Sequence, residues 1–316
     1  MSCEDELRTS RYDSLGAEYS GEMGIGRSAI SDLEPNRRES NGRKAVCSIC
    51  PHHCALGEGQ TGLCRARRNL GGAILSETYG VLSALALDPI EKKPLRHFYP
   101  GSRILSVGSY GCNMRCPFCQ NSGISMIGPG EAAQEASPEQ LVDMAMSEKR
   151  RGNIGLAYTY NEPLVGYEFV LDCAKLAAEA GLRNVLVTNG YICSEPLHRL
   201  LPYIHGMNID LKSFREVYYR KLGGDLETIK ETIQSATEVC HVEITTLIVP
   251  GENDSEGEIE EIAKWLAGIS KAIPYHISRF FPRWQMAEQE PTPIPKVYAL
   301  ADIARKHLQY VYEGNC

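Results

Sequence analysis

The stretch Ser106–Ser122, SVGSYGCNMRCPFCQNS, sets three cysteines, Cys112, Cys116 and Cys119, in a C-x3-C-x2-C spacing. It follows directly on a short apolar run, Arg103–Ser109, that predicts a β-strand. In a parallel barrel the loop after a strand lies on the C-terminal face, where active sites sit. Three thiolates this close together can wrap one [4Fe–4S] cube and leave its fourth iron without a protein ligand. An open coordination position is what chemistry needs, by the same logic that separates catalytic from structural zinc. A zinc knuckle would need a fourth ligand nearby, and residues 120–172 contain neither His nor Cys.

Downstream, short β-branched runs alternate with amphipathic stretches. The further strand candidates are Ile154–Thr159, Asn184–Thr188, Met207–Leu211, His241–Val249 and Tyr275–Arg279. Ser137–Gly152 reads as a helix, with Ser137 as N-cap, Pro138 in the first turn and Gln140 completing a capping box. Glu258–Ile269 reads as another, with Ile259, Ile262, Ala263, Leu266 and Ile269 at helical spacing. Strands each followed by a helix-length segment imply βα units and a parallel sheet. The expected fold is α/β, a partial (β/α)6 TIM-like barrel over 103–316. A Cys-rich segment over 44–102 and a flexible leader over 1–43 precede it.

Within 44–102, Cys47, Cys50, Cys54 and Cys64 read C-x2-C-x3-C-x9-C. Four soft ligands in so short a span suit either tetrahedral zinc or an Fe–S centre. Gly57, Gly59 and Gly62 loosen the loop enough to bring Cys64 back. His52 and His53 stand by as substitutes, while Cys3, Cys173, Cys193, Cys240 and Cys316 lack such spacing and default to core or tail positions. Lys92, Lys93, Arg96 and His97 form a basic run that could meet an anionic substrate, although such runs usually face solvent.

The 316 residues are 43% hydrophobic, enough for a sizeable core, and the net charge of −7 lacks the basic footprint of a nucleic-acid binder. No apolar stretch is long enough for a membrane helix, and the first residues hold no signal-peptide core. The expected setting is cytoplasmic, where thiols stay reduced and twelve cysteines suit metal ligation better than disulfides. Neither a nucleic acid nor a membrane is expected as a partner.

The motifs CSICPHHC, DPIEKKPL, CNMRCPFCQN, TYNEP, VTNG, IDLK and HISRFFP, from about residue 45 to the C-terminus, resemble the radical S-adenosylmethionine (SAM) superfamily. Within it the chain is similar to pyruvate formate-lyase activating enzymes, and closest to the AmmeMemoRadiSam group. The resemblance implies an oxidoreductase in which SAM chelates the open iron of a [4Fe–4S] cluster. One electron, from a donor such as a ferredoxin or flavodoxin, then cleaves SAM to a deoxyadenosyl radical. That radical takes hydrogen from a substrate, a protein or a small molecule, as in activation of a glycyl radical enzyme.

By the same resemblance Glu162 receives the SAM ammonium, Thr188, Asn189, Gly190, Asp210 and Lys212 line its ribose and carboxylate, and His276 contacts it from the sixth strand. Arg279 is a further candidate, and Val249, Pro250 and Gly251 shape the adenine side. Two departures stand out. Tyr160 and Asn161 replace the paired glycines of the family's Gly-Gly-Glu-Pro motif, which puts the backbone contacts of glycine in doubt. Val187 replaces an Asp before Thr188, and with that carboxylate lost the monovalent cation that the resemblance would put near Asp210 is not predicted. A competing reading is a non-catalytic Fe–S electron-transfer or metal-binding protein. Such carriers usually ligate every iron, which the three-cysteine loop does not.

Overall fold

The computed structural model describes residues 44–128 and 134–316. The leader expected over 1–43 lies outside the described residues. The main sheet has eight strands: β1 (Ala84–Pro89), β2 (Arg103–Gly108), β3 (Asn153–Tyr158), β4 (Arg183–Thr188), β5 (Gly206–Asp210), β6 (His241–Ile248), β7 (Tyr275–Arg279) and β8 (Val311–Gly314). Their spatial order is their chain order. All neighbours pair in parallel except β1, which runs antiparallel to β2. The six expected strands β2–β7 form the partial barrel, and β1 and β8 extend its two edges.

Helices follow the parallel strands and cover their outer faces: α1 (Pro138–Ser147), α2 (Tyr167–Glu179), α3 (Ser194–Leu200), α4 (Glu216–Leu222), α5 (Leu226–Thr237), α6 (Glu256–Ile269) and α7 (Ile294–Arg305). The capping box of α1 forms as expected, with Ser137 accepting from the Gln140 amide and the Gln140 side chain accepting from that of Ser137. Its α-helical part is shorter than the sequence pattern suggests. It tightens into a 3-10 turn over Glu148–Arg151 and stops at Gly152, whose φ of 88° is left-handed.

Strand alternation sorts the core. Leu105, Leu156, Leu186, Ile209, Ile244 and Ile277 join the large cluster shared with the helices. On the opposite strand faces Ile104, Ala157 and Val185 pack with Ile90, Leu95 and Phe98. The segment before β2 is thus drawn inside the barrel. The Asn208 amide donates to the Pro94 carbonyl at 2.9 Å. Glu243, fully buried on β6, accepts from the backbone amides of Arg96 (3.0 Å) and His97 (2.7 Å) and bonds His241 (2.9 Å) and His276 (2.6 Å). Lys93, 3% exposed, reaches Asp88 at 2.8 Å and lies over the Tyr160 ring. This basic run therefore buries one of its lysines instead of facing solvent throughout.

No helix of the described residues is long and apolar enough to cross a membrane.

Burial alone would raise the Glu243 carboxyl. The His241 and His276 contacts and the two amides outweigh it and hold the group at about 2, below its ordinary 4.5. A carboxyl depressed on folding stabilises the fold above its unfolded value, and that contribution fades as the pH falls from 4.5 through about 2. Glu243→Gln is expected to cost on the order of 2–3 kcal/mol near neutral pH. Urea unfolding of both proteins checks this, and the gap between them should narrow on acidification.

Candidate metal and cofactor site

The Cys112 loop leaves β2 at Gly108 and is held from two sides. From the end of β3, Asn161 accepts from the Ser109 amide at 3.0 Å. Its own amide donates to the carbonyls of Tyr110 (3.0 Å) and Gly111 (3.1 Å). From the Cys-rich segment, the Cys64 carbonyl accepts from the Cys112 amide at 3.2 Å. Gly111 has a φ of +85°, and a Cβ there would stand 2.4 Å from the Cys64 oxygen, so glycine is required for this approach.

Cys116 is buried and Cys112 and Cys119 partly so. The Met114 amide donates to the Cys112 sulfur at 3.4 Å, and the Asn189 side chain lies 3.7 Å from the same atom. Burial pushes the Cys116 thiol up to about 11, with the Lys212 ammonium working against it. Burial also raises the Cys112 thiol well above its ordinary value, helped by the negative charge of Glu162. Thiolates in such a place need a compensating cation, and metal ions are the natural one. The donor set, three soft ligands with N–H donors to sulfur and a lysine beside them, fits an Fe–S cluster.

The other expected residues sit on neighbouring strand ends. Glu162, 4% exposed, accepts from Thr188 Oγ1 (2.7 Å), the Asn189 amide (2.8 Å) and the Leu164 amide (3.1 Å). Burial still carries its carboxyl up to about 7. Gly190 turns the chain at φ +72°, with its carbonyl accepting from Thr232. Lys212 reaches Asp210 at 2.6 Å. Burial opposes its charge, but Asp210 and Cys116 hold it protonated well above the ordinary range. The ladder Asp210–Thr245–His276 places His276 level with Asp210 two strands away. Its Nε2 is engaged by Glu243, and its ring stacks on Tyr312 with centroids 5.5 Å apart.

Cys47, Cys50, Cys54 and Cys64 line one cleft with His52, Arg67 and Asn113. Cys193, which its spacing assigned to the core or tail, stands beside this segment: its amide donates to the Ile49 carbonyl, and its sulfur lies 3.9 Å from His53 Nε2. Sequence spacing missed Asn161 and Asn113 as organising residues. Asn113 joins both cysteine groups: its carbonyl bonds His52 at 2.8 Å, and its side chain bonds Asn189 (2.9 Å) and the Tyr191 carbonyl (2.7 Å). A cleft of ≈ 520 Å³ lined by Phe98, Arg183, His205 and His241 opens at the strand starts, the opposite end of the barrel from these residues.

A family model for the radical SAM superfamily matches residues 106–266. The chain is 41% identical over 276 residues to an uncharacterized protein of Methanocaldococcus jannaschii, covering 86% of this chain and 81% of that one. It is 26% identical over 228 residues to a protein of the same organism named as a putative glycyl-radical enzyme activating enzyme, covering 67% and 88%. Among solved structures, Streptococcus suis SuiB bound to S-adenosylmethionine superposes with a TM-score of 0.51 at 13% identity. That match covers 67% of this chain and 52% of SuiB, a likeness of fold.

Asn161→Ala would orphan the Ser109 amide and the Tyr110 and Gly111 carbonyls. The expected loss is on the order of 2–4 kcal/mol, together with reduced iron uptake during anaerobic reconstitution. Thermal unfolding and iron analysis of the variant check both.

Proposed function

Because the chain belongs to the radical SAM superfamily, whose members use a [4Fe–4S] cluster and SAM, we propose that Cys112, Cys116 and Cys119 hold that cluster in a hydrogen-abstracting enzyme. The observation that carries this reading is the placement of three thiols on one loop at the C-terminal end of β2, pinned by Asn161 and faced by Lys212 and Asn189. When bound, the cluster and SAM supply reductive cleavage of SAM to a deoxyadenosyl radical.

The chain's own residues shape what surrounds that chemistry. Glu162 offers a buried carboxylate to the SAM ammonium while bracing the Thr188–Gly190 turn. Its three existing donors leave lone pairs to spare, since two carboxylate oxygens offer about four acceptor positions. Asp210 and Lys212 present a paired charge at the end of β5, suited to a hydroxyl and a carboxylate. His276 stands level with Asp210 two strands away, where Glu243 fixes its orientation. The barrel interior, closed at one end by residues 90–98, would shield a radical there from solvent quenching.

The similarity to a glycyl-radical activating enzyme favours the same class of target, a hydrogen on a protein or small molecule. The electron would come from a ferredoxin or flavodoxin. The free thiols suit a reducing, cytoplasmic setting.

Two variants test the reading. After anaerobic reconstitution and reduction, wild type is expected to release deoxyadenosine, and Cys112/Cys116/Cys119→Ala to release none. Deoxyadenosine from the triple variant would overturn the assignment. Glu162→Gln should keep its iron but bind SAM about ten- to a hundred-fold more weakly, for one lost charge-assisted hydrogen bond. Unchanged SAM affinity in an anaerobic titration would leave Glu162 as a brace for the β4 turn alone.

A further inference from the structure

At Cys112 the amide two residues on, that of Met114, donates to the sulfur. In the Cys-rich segment Cys47, Cys50, Cys54 and Cys64 line one cleft with His52, Asn113 and Arg67. Arg67 is itself fixed by a bidentate pair with Glu168, at 2.7 and 2.6 Å, and by the Val165 carbonyl. A buried cation among four clustered sulfurs suits a negatively charged metal–thiolate group.

Contact with the Cys112 loop separates the two metals that four cysteines could hold. A zinc ion has no redox chemistry. An iron–sulfur cluster takes up and gives back an electron, and this cleft is joined to the Cys112 loop through the Cys64 carbonyl and through Asn113, which itself lines the cleft.

We propose that Cys47, Cys50, Cys54 and Cys64 hold a second iron–sulfur cluster, a closed [4Fe–4S] site packed directly against the Cys112 loop. The choice of iron over zinc rests on the function proposed above, whereas the four-thiol cleft with its buried Arg67 stands without it. With a protein ligand on every iron, this cluster has no open position for substrate, and its chemistry is gain and loss of one electron. Two backbone contacts bring it beside the first site: the Cys112 amide on the Cys64 carbonyl, and His52 on the Asn113 carbonyl.

Metal analysis and electron paramagnetic resonance on the full chain, purified and reconstituted anaerobically and reduced with dithionite, test the proposal. Wild type should carry about eight irons and no stoichiometric zinc. Cys112/Cys116/Cys119→Ala should keep about four irons and one reduced-cluster signal. The wild-type spectrum should be broadened by two neighbouring paramagnets, and the triple variant's should not. The wild-type measurement stands whether or not a variant folds: about one zinc with about four irons per chain would overturn the second cluster and leave the first intact. Failure of the first assignment looks different, as a triple variant with the full iron content of wild type.

Discussion

Two adjacent buried side chains at the end of β3, Asn161 and Glu162, hold the loops of three strands in one arrangement. Asn161 spends its amide on the β2 loop, and Glu162 spends its carboxylate on the β4 turn. Loops seldom have enough buried apolar surface to fix themselves. Here their free backbone groups are satisfied by two side chains on a rigid strand end, where leaving them unpaired would be costly. The cysteine loop, the Thr188–Gly190 turn and the Cys-rich segment can therefore meet at one place.

Charge imposes the second condition. The chain is acidic overall, yet the sulfurs are faced by cations: Lys212 beside Cys116 and Arg67 beside Cys47. Each cation is itself tied to a carboxylate, Asp210 or Glu168, so neither is left buried and alone. Such pairs contribute little net stability, because desolvation offsets their attraction. Their value lies in placing a fixed positive charge where thiolate charge must accumulate.

The far end of the barrel is organised around Glu243. Its four donors come from two strands and from residues 96–97, so one carboxylate closes the barrel floor and orients His276 at once. Tyr160 illustrates a related economy. It takes a left-handed φ of +72°, the region that favours glycine, and its hydroxyl bonds Asp88 at 2.6 Å. The side chain that glycine would lack tethers the β1 end, and Asn161 next to it pins the β2 loop.

The periodicity of β-branched runs, the capping box at Ser137 and the two cysteine spacings were legible from sequence, because each depends on residues close along the chain. The edge strands β1 and β8 were not. Ala84–Pro89 lies in a Pro- and Gly-punctuated stretch whose strand character comes from pairing with β2, a non-local contact. The same holds for the inward turn of Lys93, for Glu243, whose partners lie more than a hundred residues away at Arg96 and His97, and for Cys193 beside His53. Spacing could propose that Cys47–Cys64 and Cys112–Cys119 each bind metal. Only the tertiary structure brings the two groups into contact, because a hydrogen bond between the Cys64 carbonyl and the Cys112 amide is made by backbone atoms that carry no sequence signature beyond the glycine at 111.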